Sequence, residues 1–317
     1  LKKEILAVEA VAPATSANLG AGFDVFGVAL TSPRDRVYVE KMDSERIEIS
    51  VEGEGSDLIP TKPDLNTAGI VARELLATTG RNVGLHIDIK KGVGPGSGLG
   101  SSAASSSACA LALNVLLQAR LSTKELIEYA ALGEMASAGT PHADNVAAAI
   151  LGGFTVVVSR RPLDVVSLRM PPHVGFAIVL PDITYTTKEA RTVIPRRVCL
   201  SKFVQNLGRA AAFVAGIASE DISLMGRGMM DVVVEPERER LIPGLNDVRK
   251  AGLRAGAAGV AISGSGPSVI ALVDKSKVDG MQVAKAMRDA FETAGVRARY
   301  MCSEPGPGGR VTKCITG

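Results

Sequence analysis

Apolar and other residues alternate with a period of two over Val83, Gly84, Leu85, His86, Ile87, Asp88, Ile89 and Lys90, the pattern of a strand with one buried face. A run of glycine, serine and alanine from Gly94 to Ala108 follows and passes into the apolar stretch 109–117, which has the composition of a buried helix. The same reading predicts strands at 35–41, 46–51 and 154–159 and helices at 66–79, 101–119 and 123–133. Ser122 stands as an N-cap with Glu125 three residues on, a capping box for the last of these helices. Proline-containing stretches at 160–163 and 171–172 break the pattern, which divides the chain into residues 1–161 and 162–317. The second part reads as strand 174–180, helices 198–218, 222–232 and 245–255, strands 259–262 and 268–273, helix 278–294 and strand 296–302. The turn-rich segment 305–309 reads as a loose tail. This mixed order makes the chain α+β or α/β.

Composition narrows the picture. A chain of 317 residues can bury a substantial core and favours two domains. The net charge of +3 is spread along the sequence, which excludes a nucleic-acid surface and an acidic or basic tail. No apolar run is long enough to cross a bilayer, and the opening Leu1-Lys2-Lys3-Glu4-Ile5-Leu6 is too charged for a secretion signal, so the expected location is the cytoplasm. Cys109, Cys199, Cys302 and Cys314 lack a C-x-x-C spacing and His86, His142 and His173 are scattered, which argues against a zinc site or a redox pair.

The glycine-rich run is the strongest chemical signal. Placed between a strand and a helix, it is no linker: glycines let the backbone approach a ligand, and the helix start offers unpaired N–H groups and a partial positive charge, so an anion such as phosphate fits there. It lacks the lysine of a Walker A loop and the acidic strand tip of a Rossmann fingerprint, so amides, hydroxyls and a metal are left to neutralise the ligand. Residues 12–24 read as a small-residue loop carrying Asn18 and Asp24, either a ligand-packing loop or a turn between strands. Glu134 ends a helix, and Thr140-Pro141-His142-Ala143-Asp144-Asn145 puts four ligand-capable side chains into six positions ahead of another small apolar helix. Residues 259–270 place a second Gly/Ser turn between two short strands, which a tight hairpin also explains. Arg191 and Arg238 are either surface charges or anion-binding groups.

Taken in order and spacing, A-P-A-T-S-A-N-L-G-x-G-F-D, the loop 94–108, E…H-x-D-N and S-G-S-G-P-S resemble the GHMP family of small-molecule kinases over nearly the whole chain. T-K-E-A-R and E-P-x-R-x-x-L-I-P-G make the chain most similar to the members that phosphorylate L-homoserine. The resemblance implies an α+β two-domain GHMP kinase fold, with a ribosomal protein S5 domain 2-like N-terminal domain containing a left-handed crossover and a ferredoxin-like C-terminal domain. It implies ATP and Mg²⁺ as the nucleotide and metal, a homodimer, and a role in threonine biosynthesis. Gly94, Pro95, Gly96, Ser97, Gly98, Leu99, Gly100, Ser101, Ser102, Ala103 and Ala104 would bind the triphosphate, with Asn66 near the adenine and Ser102 and Glu134 on Mg²⁺. Asn18, Asp24, His142, Asp144 and Asn145 would line the acceptor site, Arg191 and Arg238 would receive its carboxylate, and Thr187 would lie nearby. Gly94 departs from the proline many members carry there, leaving Gly96, Gly98 and Gly100 in register.

Homoserine is a zwitterion with a primary hydroxyl, so its site needs a carboxylate and arginines. Asp24 or Asp144 and Arg191 with Arg238 supply them. Phosphoryl transfer relies on positioning, so Asn145 is expected to orient the hydroxyl and the loop's positive charge to come from Mg²⁺ and the helix start; Asp144 as a general base is the rival. A kinase for another small alcohol and a non-catalytic sensor are the alternatives.

Overall fold

The computed structural model describes residues 4–135 and 142–317. Its first sheet is built on β1 (Ile5–Ala17) and β2 (Phe26–Met42), paired antiparallel. β3 (Ile47–Gly53) and β4 (Gly84–Lys91) run parallel to one another, as two strands joined through helix α1 (Thr67–Thr79) can. β5 (Phe154–Arg160) pairs with the start of β2 and with β6 (Leu163–Leu168). Among the described residues, helices α2 (Ser101–Leu116), α3 (Thr123–Gly133) and α4 (Asp144–Leu151) pack with these strands. Alternate residues Val37, Val39, Leu85, Ile87 and Ile89 face a core shared with Leu75, Leu113 and Leu116 of the helices. Ala103, Ala108, Ala110 and Ala112 are fully buried along α2. Their small side chains let α2 lie close to the strands in a chain that has no tryptophan.

The second sheet takes β7 (Val174–Pro181), β8 (Gly259–Ile262), β9 (Val269–Asp274) and β10 (Ala298–Ser303) in the antiparallel order β10-β7-β9-β8. On β7, Phe176 and Ile178 join a cluster with Leu19, Phe26, Phe154 and Phe213. Ala177 and Val179 face the opposite way, toward Val248, Met287 and Phe291. Both faces of this strand are therefore covered, which is why it is almost continuously apolar. The helices here are α5 (Thr187–Thr192), α6 (Leu200–Ala218), α7 (Ile222–Gly228), α8 (Glu235–Arg238), α9 (Leu245–Arg254) and α10 (Gly280–Thr293). Among the described residues no helix is long and apolar enough to cross a membrane.

Two expectations are corrected. Residues 12–17, read as loop, are the end of β1; they are buried without a break, so the period of two vanishes and small residues stand where larger apolar ones would have marked a strand. Residues 305–309 are not loose. Pro305 bridges Leu30, Pro307 bridges Gly152, and β11 (Arg310–Thr316) pairs with β1. Gly306 is there for close approach: a Cβ would lie 2.5 Å from the Leu30 carbonyl carbon. Arg161-Pro162 forms the turn between β5 and β6, both in the first sheet, and the chain passes to the second sheet between Leu168 and Val174, where Pro171 and Pro172 lie.

Candidate active site

The loop after β4 leads into α2, whose N-cap Gly100 provides no side-chain cap for the helix amides. Gly96, Gly98 and Gly100 have φ of 67°, 77° and 64°, the alternation of left-handed residues from which anion nests are built. Gly100 is also sterically required, since a Cβ would fall 2.0 Å from Thr15 Oγ1. Side chains fasten the loop: Ser97 Oγ donates to Gly94 O at 2.7 Å, Ser101 Oγ to Val93 O at 2.7 Å, and Ser263 Oγ to Gly98 O at 2.7 Å. The last contact comes from the β8–β9 hairpin, so that turn does more than join two strands.

The loop opens onto a cavity of about 480 Å³. Asn18, Asp24, Asn66, Pro95, Gly96, Ser97, Gly98, Gly100, Ser101, Ser102, Glu134, His142, Asp144, Asn145, Thr187, Arg191 and Arg238 all line it. Gly94, Leu99, Ala103 and Ala104 do not; the last three are buried in the core and contribute backbone only. Thr140 and Pro141 lie outside the described residues.

Near the loop, Glu134 is the C-cap of α3 and is hydrogen-bonded to Ser102. Burial lifts its carboxyl pKa to about 7, with Asp144 adding to the rise and Lys91 opposing it. Asp144, at the first turn of α4, accepts from Asn145 N at 2.8 Å and is pushed up to about 6, chiefly by burial and then by Asp24. Asn145 Oδ1 accepts from Thr15 Oγ1 at 2.7 Å.

Further charged groups gather around Asp24. Arg191 holds Asp24 with two prongs, NH2 to Oδ1 at 2.6 Å and NH1 to Oδ2 at 3.3 Å, and Arg160 NH2 reaches Oδ2 at 3.1 Å. Burial favours the neutral acid at Asp24, but the arginines outweigh it and its pKa is lowered. His142 is pushed down to about 4 by burial and by Arg191, so it is neutral at physiological pH, with Nδ1 3.4 Å from Arg191 NH2. Arg238 is buried and donates to Gly264 O at 2.9 Å. Asn18 lines the cavity with both ends of its amide committed: Nδ2 donates to Gly264 O at 2.6 Å and Oδ1 accepts from Asp24 N at 2.9 Å. Asn66 is likewise occupied as the N-cap of α1, accepting from Ala68 N at 2.9 Å and donating to Pro60 O at 2.7 Å. Thr187 Oγ1 sits 3.3 Å from Ser265 Oγ.

Family models describe the two halves of this arrangement: the N-terminal domain of GHMP kinases matches residues 66–153 and the C-terminal domain of GHMP kinases matches residues 213–293. The chain belongs to the GHMP kinase family. A protein of Haloarcula marismortui named homoserine kinase is 46% identical over 95% of this chain and 98% of its own length. One of Natronomonas pharaonis with the same name is 47% identical over 94% of this chain and 97% of its own length. The crystal structure of homoserine kinase from Cytophaga hutchinsonii superposes with a TM-score of 0.91 at 38% identity, covering 98% of this chain and 99% of that one.

This GHMP kinase carries features the sequence reading missed. Lys91, at the end of β4, lines the cavity and donates to Ser101 O and Ser105 Oγ at 2.9 Å each, and to Asp35. The expectation that the loop's positive charge comes from Mg²⁺ and the helix start did not foresee this lysine, which stands outside the loop, where no Walker spacing would locate it, and whose ion-pair partner is Asp35. Leu58, Ile59, Pro60 and Leu65 form an apolar wall on the same cavity, Leu58 and Leu65 being exposed. Its one sequence signal is a leucine two positions from a proline on each side of Thr61-Lys62, Leu58 with Pro60 and Leu65 with Pro63.

Proposed function

We propose that the chain transfers the γ-phosphoryl group of ATP to the side-chain hydroxyl of L-homoserine, giving O-phospho-L-homoserine for threonine biosynthesis. The observation that carries this reading is the opposition of Asp24 to Arg191, with Arg238 sharing the Phe23 ring with Arg191, on the wall of the cavity. An amino-acid zwitterion can exchange with that internal pair, its ammonium meeting Asp24 and its carboxylate the arginines, without a change in net charge. Mevalonate has no ammonium and would leave the acid unpaired. Two relatives and one solved neighbour named homoserine kinase support the same substrate.

In this reading the loop from Gly94 to Ala104 receives the triphosphate and the Leu58–Leu65 wall with Asn66 receives the adenine. Glu134 and Ser102 fit Mg²⁺: a carboxylate and a hydroxyl are the hard oxygen donors that Mg²⁺ takes beside substrate phosphates. When bound, Mg²⁺ supplies counter-charge for the phosphate oxygens. With Asn145 Oδ1 held by Thr15, its Nδ2 is the end left to orient the acceptor hydroxyl toward the γ-phosphate. The helix start and Lys91 stabilise charge developing on the transferred group. Asp144 binds rather than abstracts, because a loose transition state demands little of a base. Residues within 1–161 form the nucleotide side of the cavity, and the part beyond the first sheet's Leu168 supplies Arg191 and Arg238. A cytoplasmic homodimer completes the proposal.

The test is a coupled ADP-release assay with L-homoserine, mevalonate and shikimate side by side. Turnover is expected with homoserine and at least about 10²-fold less with the others. Greater turnover with either competitor would move the assignment to another small alcohol. No release with any of the three, together with calorimetric binding of ATP, would make the chain a sensor. Asp144→Asn is expected to raise KM for homoserine and to keep kcat within about tenfold. Collapse of kcat at unchanged KM would instead make Asp144 the base.

A further inference from the structure

Arg191 and Arg238 raise a physical problem. Both line the cavity, Arg238 buried and Arg191 partly so, and burial and then Arg191 are among the causes that lower the Arg238 pKa, with Tyr185, Asp24 and Glu235 opposing them. Arg191 has Asp24 as a counter-ion, while its Nε is buried and, among the described residues, has no hydrogen-bond partner. Arg238 is 2% exposed and, among the described residues, has no carboxylate within ion-pair distance; its hydrogen bonds go to the carbonyls of Gly264 and Ala190. A second carboxylate would settle this cluster and would also consume the charge that the acceptor's carboxylate needs.

The residue that meets both cations is an aromatic ring. The guanidinium carbons of Arg191 and Arg238 each lie 5.5 Å from the centroid of Phe23, within the range in which the ring's quadrupole attracts a cation. Phe23 is half-buried, lines the cavity, and sits in a loop held by the bond from Asp24 N to Asn18 Oδ1. We infer that Phe23 is a positioning residue for the acceptor's carboxylate, whose ring holds the two guanidiniums together while leaving their charge uncancelled. A ring suits this task because its attraction is electrostatic but carries no net charge. The substrate's carboxylate then completes a cluster already arranged for it, and Arg238 gains the anionic partner it lacks. The inference rests on the reading of Arg191 and Arg238 as carboxylate receivers.

The experiment uses the full chain and steady-state kinetics with L-homoserine and ATP. Phe23→Leu keeps an apolar side chain and removes the ring, and it is expected to raise KM for homoserine about tenfold or more, with kcat and KM for ATP within about twofold. Phe23→Tyr is expected to restore the homoserine KM. Replacing Phe23 with mono-, di- and trifluorinated phenylalanine drains the ring's negative face at nearly constant shape, so the homoserine KM should climb stepwise with fluorination. A flat fluorination series, an unchanged homoserine KM in Phe23→Leu, or an equal rise in both KM values would overturn the inference while leaving the proposed reaction standing. If the unaltered chain fails to phosphorylate homoserine, the proposed function falls and this inference falls with it.

Discussion

Glu134→Ala is expected to lower kcat by about 10²–10³-fold at saturating ATP, homoserine and Mg²⁺, the scale set by removing one preorganised electrostatic group from an enclosed site. Glu134 is a buried carboxylate, bonded to Ser102 beside the phosphate loop and close enough to Asp144 and Lys91 for each to shift its titration. Its place on the cavity wall beside the phosphate loop is what assigns it to the nucleotide's metal rather than to packing. Its pKa also gives a stability test. Raised from 4.5 to about 7, the carboxyl keeps its proton in the folded chain over a range where the unfolded chain has lost it. That contribution is fully present below pH 4.5 and is lost as pH rises through about 7. At ~1.4 kcal/mol per unit the loss is about 3 kcal/mol. Asp144, raised to about 6, and Glu235, raised to about 7, act in the same direction. The ligand-free protein should therefore melt at lower temperature at pH 8 than at pH 5, and Glu134→Gln should remove its share of that slope. Near-normal turnover in Glu134→Ala, measured by ADP release, would break the assignment.

The parts of the fold legible in the sequence are those whose residues carry a clear pattern: one wet face, or an unbroken run of larger apolar side chains. Thr123–Gly133 and Gly84–Lys91 show the first and Val174–Pro181 the second, and Ser122 with Glu125 makes the capping box its spacing announces. Legibility fails where a buried run is made of small residues or where distant segments meet. Ala12 to Ala17 alternate nothing because nothing along them is exposed, and β11 is short and mostly exposed, so its place beside β1 depends on a pairing across the length of the chain. The site divides the same way. Motif spacing brought together the loop, Glu134, Asp144 and the arginines. What it could not supply was their mutual arrangement: the Asp24–Arg191 pair, the commitment of both ends of the Asn18 amide, and the Thr15–Asn145 bond all join residues far apart in sequence or spend a group that looks free in one dimension. Lys91 was hidden for a related reason, since a lysine at the end of an alternating strand reads as a solvated charge.

Lys91→Met is expected to destabilise the chain by about 3–5 kcal/mol, the penalty for breaking a buried ion pair from one side. Lys91 and Asp35 are both almost wholly inaccessible, and they tie together three elements: β2 through Asp35, β4 through Lys91, and α2 through Ser101 O and Ser105 Oγ. Asp35 in turn accepts from Gly92 N and Val93 N at 3.0 Å each and from Ser105 Oγ at 2.7 Å, which fixes the strand end from which the phosphate loop departs. Methionine fills much of lysine's volume but leaves the Asp35 carboxylate buried among neutral donors. Removing both charges should reverse most of the loss, because the pair's net worth is small compared with the cost of orphaning one member. Asp35→Asn with Lys91→Met is therefore expected to regain all but about 2 kcal/mol in urea unfolding at pH 7. Activity separates the two roles of the lysine. If Lys91 only braces the loop, the double variant recovers KM for ATP together with stability. If its charge also acts on the bound triphosphate, as its place on the cavity wall and its effect on Glu134 indicate, stability returns while KM for ATP stays about tenfold or more above that of the unaltered chain. The second outcome is the one expected; a single variant as stable as the parent would refute the structural half of the argument, and full recovery of KM in the double variant would refute the electrostatic half.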